Sequence, residues 1–326
     1  MNRYIRALSL AAGLLAIPFA QAADTAADYP NHPVRWIVPF TPGGAMDNIA
    51  RTLSDAMTAS TGQSFIVENR PGAGGNVGAA YVARSPADGY TIMIVANGMA
   101  VNPYLYKSLR YDPVKDFTPV SLLAVVPNVL VTNPKYNHAK TVADVIAQAK
   151  AEPGKHTFAS AGVGTSIHLA GELFVKMTGV SMMHIPYKGS SPAMVDLLGG
   201  RVDYMFDSIT SSKPHIDSGE LTAIAVTTSK RSPALPNVPT VAESGVPGYV
   251  LTPWFAAFAP AGTPPEIVAK LNKAMLDAMK TPKVRATLDF IGAEPIGSTP
   301  EELRAYLASE MKAGKELVQS RGIHLD

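Results

Sequence analysis

The stretch Pro33 to Arg51, PVRWIVPFTPGGAMDNIAR, constrains the fold of this chain more tightly than any other. The apolar run Val34 to Phe40 reads as a buried strand. It ends in a tight turn, Pro42-Gly43-Gly44, and a helix is expected to begin near Ala45, because Ile49, Leu53, Ala56 and Met57 recur on one helical face. Glycine lets the backbone turn sharply and leaves its amides uncovered by side chains. The first N–H groups of a helix are unpaired and carry partial positive charge, so such a turn attracts anions. The segment therefore reads as a docking point for a carboxylate or phosphate, built mostly from backbone, against the plainer alternative of an ordinary strand-to-helix turn. Asp47 suits the first helical turn and is expected to hold it without touching an anion.

The rest of the chain continues the alternation. Strands are expected at Ser64–Val67 and Thr91–Ala96 and a short helix at Val77–Arg84, which makes βαβαβ with parallel strands and right-handed crossovers. Pro103–Pro119 reads as irregular, with room for a short helix. A second block shows strands at Val129–Thr132, Thr157–Ser160, Met182–Pro186, Val202–Phe206 and Leu221–Val226. Between them lie a helix capped by Thr141 with Asp144, one carrying His168, Leu169, Leu173 and Met177, and one capped by Ser191 that stops at Gly199-Gly200. Ser232–Gly248 is rich in proline and reads as an extended connection; Tyr249–Phe258 reads as a strand; three amphipathic helices follow, the last capped by Thr299 with Glu302. Two α/β units joined by extended segments favour a cleft between lobes, where loops at the carboxyl ends of strands gather.

The N-terminus has the three parts of a secretory signal: Arg3 and Arg6, the apolar stretch Ala7–Phe19, and the small-residue site Ala20-Gln21-Ala22. Its removal takes away two basic residues and no acids, so 26 of each remain and the formal net charge falls from +2 to zero. No clustered basic surface points to nucleic acid. The chain has no cysteine, so no disulfide framework is available and its stability rests on a hydrophobic core.

Catalytic and cofactor signals are weak. There is no G-x-S-x-G elbow, no cysteine nucleophile and no H-E-x-x-H, and the seven histidines are scattered. His168, directly after a Gly-Thr-Ser loop, is carried as a candidate site residue beside the alternative of a packed structural histidine. In Gly72–Gly78 the third glycine of G-x-G-x-x-G would fall on Val77, so a structural turn accounts for it better than a nucleotide site. Asp207 either orients a ligand through water or caps the helix near Ser211, and both readings stay open. Lys188 reads as a solvated loop lysine.

Four segments carry a family resemblance: YPNHPVRWIVPFTPGGAMDNIAR, VENRPGAGGNVGAAYVARSPADGYT, YKGSSPAMVDLLGGRVDYMFDS and LPNVPTVAESGVPGYVLTPWFAAFAPAGTP. In this order, behind a signal peptide, they resemble the periplasmic solute-binding proteins of the tripartite tricarboxylate transporter family, the Bug receptors. The resemblance implies a two-domain periplasmic binding protein fold with a ligand cleft between two α/β lobes. It divides the chain into a signal peptide (1–22), a first lobe (23–122), a second lobe (123–230) and a return to the first lobe (231–326). It implies a receptor without enzymatic activity, cofactor or metal, probing the periplasm as a monomer for a small carboxylate and passing it to membrane components. Carried onto this chain, the ligand-binding positions are Phe40, Thr41, Pro42, Gly43, Gly44, Ala45, Asn97, Ser160, Gly164, Thr165, Tyr187, Gly189 and Asp207, with His168 beside them. Relatives often carry Ser-Thr-His where this chain has Asn97-Gly98-Met99, and glycine where it has Ala256. Met99 and Met46 offer thioethers, which suit flat or apolar ligand bodies, so an aromatic or apolar-chained carboxylate is expected in preference to citrate. A secreted hydrolase on the same scaffold and a sensory receptor are the alternatives.

Overall fold

The computed structural model describes residues 26–321; the expected signal peptide lies outside the described residues. The first unit forms as its pattern predicts. Strand β1 (Val34–Val38) leads through the glycine turn into α1 (Ala45–Thr61), β2 (Phe65–Asn69), α2 (Asn76–Val82) and β3 (Thr91–Val95). Strands β2 and β3 flank β1 in parallel. Helix α1 turns Ile49, Leu53 and Met57 fully into the core. It stops where Gly62 adopts φ 73°, a left-handed conformation that satisfies the Thr58 carbonyl.

The segment 103–119, expected to be irregular with room for a short helix, holds the end of a helix and the start of a strand. Helix α3 (Gly98–Leu105) accommodates Pro103 in its last turn, and β4 (Phe117–Val125) accommodates Pro119. The chain then crosses at 126–127 into a second sheet; the division drawn at 122/123 falls inside β4. The second unit contains β5 (Asn128–Thr132), α4 (Val142–Ala151), β6 (Thr157–Ser160), α5 (Ser166–Thr178), β7 (Met183–Pro186), α6 (Ser190–Leu198), β8 (Tyr204–Ser208), α7 (Ile209–Asp217) and β9 (Thr222–Val226). Its strand order is β7-β6-β8-β5-β9, with β6 parallel to both neighbours and β5 antiparallel to β8 and β9. Thr141 and Asp144 form the predicted capping box of α4.

The return crossing differs from expectation. The strand expected from Tyr249 begins only at Trp254, as β10 (Trp254–Pro260). Pro247 and Pro253 have no N–H to give a ladder. Instead Thr227 Oγ1 donates to the Leu251 carbonyl, and the buried Tyr249 hydroxyl donates to the Ala170 carbonyl. Strand β10 inserts antiparallel between β3 and β4. Helices α8 (Pro265–Lys280) and α9 (Pro282–Phe290), the short β11 (Glu294–Pro295) and α10 (Pro300–Arg321) complete the first lobe, whose strand order is β11-β4-β10-β3-β1-β2. The cap of α10 is the predicted pair, Thr299 and Glu302. Helix α1 packs against α8, and α10 against α3.

Candidate functional site

A cavity of ≈ 80 Å³ lies where the carboxyl ends of the strands of both sheets face one another. At roughly 10–15 Å³ per water-sized group it holds about half a dozen such groups, the scale of a small solute. Helices α1, α3, α5, α6 and α7 all begin at its wall, through Gly44 and Ala45, Gly98, Thr165 and Ser166, Ser190, and Ser208. Each helix start presents partial positive charge. The amides of Ala45, Met46, Ser166, Ile167 and Ser190 have no hydrogen-bond partner among the described residues.

Among the described residues no Lys, Arg or His lines the cavity, and Asp47 is the one charged side chain in its wall. Asp47 is committed elsewhere. One oxygen accepts from the Gly43 amide (3.0 Å) and from Arg51 Nε (2.9 Å), the other from Asn69 Nδ2 (2.9 Å). Burial alone would raise its pKa, but the Arg51 guanidinium and these donors hold the carboxyl below its usual range. The turn is thus clamped from behind, with Gly43 at φ 90° as only glycine readily allows.

The remaining wall is apolar, from Phe40, Met46, Met93, Val95, Met99 and Phe255. Four polar atoms interrupt it without a partner: Thr41 Oγ1, Asn102 Oδ1, Asn128 Nδ2 and Ser208 Oγ. Asn128 and Ser208 are 1 % and 5 % exposed and stand directly opposite each other on β5 and β8. Buried polar groups are rarely left unpaired, so these four atoms are open to hydrogen bonds from water or from a bound solute.

Of the residues expected from sequence, Phe40, Thr41, Gly44, Ala45 and Thr165 line the cavity. Pro42 and Gly43 stand at the rim, where the lobes touch: the Pro42 carbonyl accepts from Ser191 Oγ (2.5 Å), and a Cβ on Gly43 would meet that oxygen at 2.9 Å. Ser191 is therefore not the cap of α6. That helix starts two residues earlier, after Gly189, and Ser191 spends its hydroxyl on the other lobe. Gly189 and Gly164 are packing glycines; a Cβ would lie 2.0 Å from Thr41 Oγ1 and 2.1 Å from Asn102 Oδ1 respectively.

The others sit behind the wall. Asn97 Nδ2 donates to the Thr252 carbonyl and its Oδ1 accepts from the Trp254 amide, which ties β3 to the return segment. Tyr187 donates to Asp196 (2.6 Å). Asp207 lies within β8, fully buried, and accepts from Ser190 Oγ and from Ser212 Oγ (3.0 Å); it neither lines the cavity nor caps α7, whose cap is Ser208. Burial pushes its carboxyl up against the pull of those hydroxyls. His168 accepts the Gly164 amide on Nδ1 (3.2 Å) and stacks on His184, whose Nε2 lies 2.6 Å from Ser160 Oγ. The two rings thus brace the 160–164 loop.

His168, Glu172 and His184 bring three potential ligand atoms within 4.8 Å of one another. With the Gly164 N–H on Nδ1, the neutral His168 ring carries its proton on Nε2, towards Glu172 at 3.5 Å. The lone pair that a metal would need on Nε2 is then occupied, and the group reads as packing and hydrogen bonding.

Asn128, Ser208, Asn102 and Ser190 escape sequence reasoning. Asn128 and Ser208 are far apart in the chain and meet only through strand pairing. Ser190 carries one visible signal, its place just after Gly189 at a helix start.

Residues 49–323 match the model of the tripartite tricarboxylate transporter family receptor. The chain is 40% identical to Protein BugT of Bordetella pertussis over 100% of this chain and 99% of that protein. It is similar to the solved periplasmic binding protein BugD, at 37% identity and a TM-score of 0.88 over 91% of this chain and 100% of that one. An R. palustris protein solved with adipate is 41% identical with the same TM-score, 0.88, over 91% and 100%.

Proposed function

Because the chain belongs to the family of tripartite tricarboxylate transporter receptors, we propose that it captures a small carboxylate with an apolar body between its lobes and delivers it to the membrane components of such a transporter. The observation that carries this is the convergence of unpaired amides from α1, α5 and α6 on a cavity without a cationic side chain. A carboxylate seated there meets donors from both lobes, which favours closure. The aliphatic, thioether and aromatic wall then receives the rest of the solute, and Asn128 and Ser208 receive a further polar group on it. The chain is read as exported by residues 1–22, periplasmic and monomeric.

The magnitudes are sufficient. Micromolar affinity needs about 8 kcal/mol, and a hydrogen bond to a charged carboxylate contributes roughly 1.5–3 kcal/mol. Three or four such bonds with apolar contact reach that value after ordering costs.

Binding without chemical conversion is part of the reading. Ser160 and His184 form a serine–histidine contact, but Ser160 is fully buried outside the cavity wall. His184 is a poor base, its pKa pushed down to about 3 by burial and by His168. Ser190, which does line the cavity, donates to a buried carboxylate.

A thermal-shift and calorimetry panel of benzoate, adipate, malate and citrate tests the proposal. Benzoate or adipate is expected to stabilise the protein most; at a hundred times Kd the gain is about 2.7 kcal/mol. Tighter binding of citrate than of both would refute the apolar preference. No shift with any of a wide range of carboxylates would refute the function.

A further inference from the structure

A second concave surface lies on the first lobe, outside the solute cavity. It runs between α2 and the chain that follows α3, encloses ≈ 740 Å³, and is lined by Arg35, Arg84 and Arg110 with Tyr81 and Tyr106. Among the described residues no Asp or Glu belongs to its lining. Arg35 is fixed, donating to the Tyr81 hydroxyl (2.6 Å) and to Thr91 Oγ1 (3.0 Å), while the Arg70 guanidinium stacks 3.6 Å above the Tyr81 ring. The Arg84 and Arg110 side chains are exposed and have no ion pair or hydrogen bond among the described residues. The same groove exposes an apolar floor, with Val77 half open to solvent at 51 %. Free guanidinium groups bind carboxylates in bidentate fashion. A surface this long, mixing arginine with tyrosine and valine, fits a polypeptide segment that carries acidic and apolar side chains.

The groove is also wired to the cleft. Asn76, in its wall, accepts from Asn102 Nδ2 and from the Tyr111 hydroxyl, both at 2.7 Å, and Asn102 and Tyr111 line the solute cavity. Tyr106 donates to the Val163 carbonyl of the other lobe (3.1 Å). Opening the lobes breaks that bond and releases one wall of the groove.

We propose that this groove is the docking surface for an acidic segment of a membrane component of the transporter, complete only when the lobes have closed. The proposal rests on the receptor reading above. It explains how a transporter distinguishes a loaded receptor from an empty one: the partner's carboxylates find Arg84 and Arg110 beside a Tyr106 that closure has set in place.

The test is the double variant Arg84→Glu/Arg110→Glu, read in two arms with the tightest-binding acid of the four-acid panel. Calorimetry should give a Kd within twofold of the wild type. Uptake of the same labelled acid into proteoliposomes that hold the membrane components should fall at least tenfold. Arg84→Lys/Arg110→Lys, which keeps the charge but loses the bidentate fork, should lose less uptake than the charge-reversed pair, and wild-type uptake should weaken as salt rises. Unchanged uptake in the charge-reversed variant overturns the proposal. So does a Kd that weakens in step with uptake, since the arginines would then act through the cavity. Failure of the wild type to bind any acid in the calorimetric arm removes the receptor reading itself, and this proposal with it. For the closure part, wild-type receptor should bind the immobilised membrane components at least fivefold more tightly with acid than without, and Tyr106→Phe should shrink that ratio. Equal binding of loaded and empty wild-type receptor overturns it.

Discussion

At the scale of single residues, the site is a matter of which polar atoms are used up and which are left over. Asp47 is consumed in clamping the first loop, Asp207 in holding Ser190 and Ser212, and His168 in holding Gly164. What remains uncommitted at the cavity is backbone N–H and four side-chain atoms. Gly44→Val should fill the space against Ser190, whose Cβ lies 3.7 Å from where a Cβ at position 44 would sit. Calorimetry should show binding lost while the unliganded protein melts close to the wild-type temperature; unchanged affinity would remove the first loop from the site. Asn128→Ala and Ser208→Ala should each weaken binding of the preferred acid about two- to tenfold, the worth of one hydrogen bond. The glycine turn was legible because glycine and proline act locally. Asn128 and Ser208 were not, because nothing within a few residues of either says that strand pairing will set them side by side in the wall of one cavity.

At the scale of elements, periodicity and caps carried the reading. Helix α1, the box at Thr141, the glycine stop of α6 and the cap of α10 all follow from short-range chemistry. Proline blurred it: around Pro103 a short helix was expected without a place, Pro119 hid a long strand, and the apolar run at 249–253 looked like a strand although its backbone bonds to Val246, Thr227 and Val126. Leu53→Ala removes a fully buried side chain from the core that α1 shares with α8 and should cost roughly 2–5 kcal/mol in chemical denaturation. His184 links elements and is sensitive to pH. Its folded pKa, about 3, lies below the unfolded value near 6.5. Between these values the unfolded chain binds the extra proton, so this contribution is intact above about pH 6.5 and is lost progressively as pH falls towards 3. From pH 7.5 to 5.0 the wild type should lose up to about 2 kcal/mol more stability than His184→Gln; equal slopes in the two proteins would show that His184 does not titrate this way.

At the scale of the whole molecule, two sheets joined by two crossings place helix starts from both lobes around one small space, and the lobes meet through Ser191 on Pro42 and Tyr106 on Val163. The two-lobe architecture was legible in the order of elements; the way the lobes close was not, since it depends on contacts between residues distant in sequence. The most direct test is a crystal structure of the protein with the acid it retains through gentle purification. The carboxylate oxygens should lie about 3 Å from the amides of Ala45 or Met46 and of Ser166, Ile167 or Ser190. A solute bound elsewhere, or held in the cleft by a lysine or arginine side chain instead of by these amides, would contradict the account.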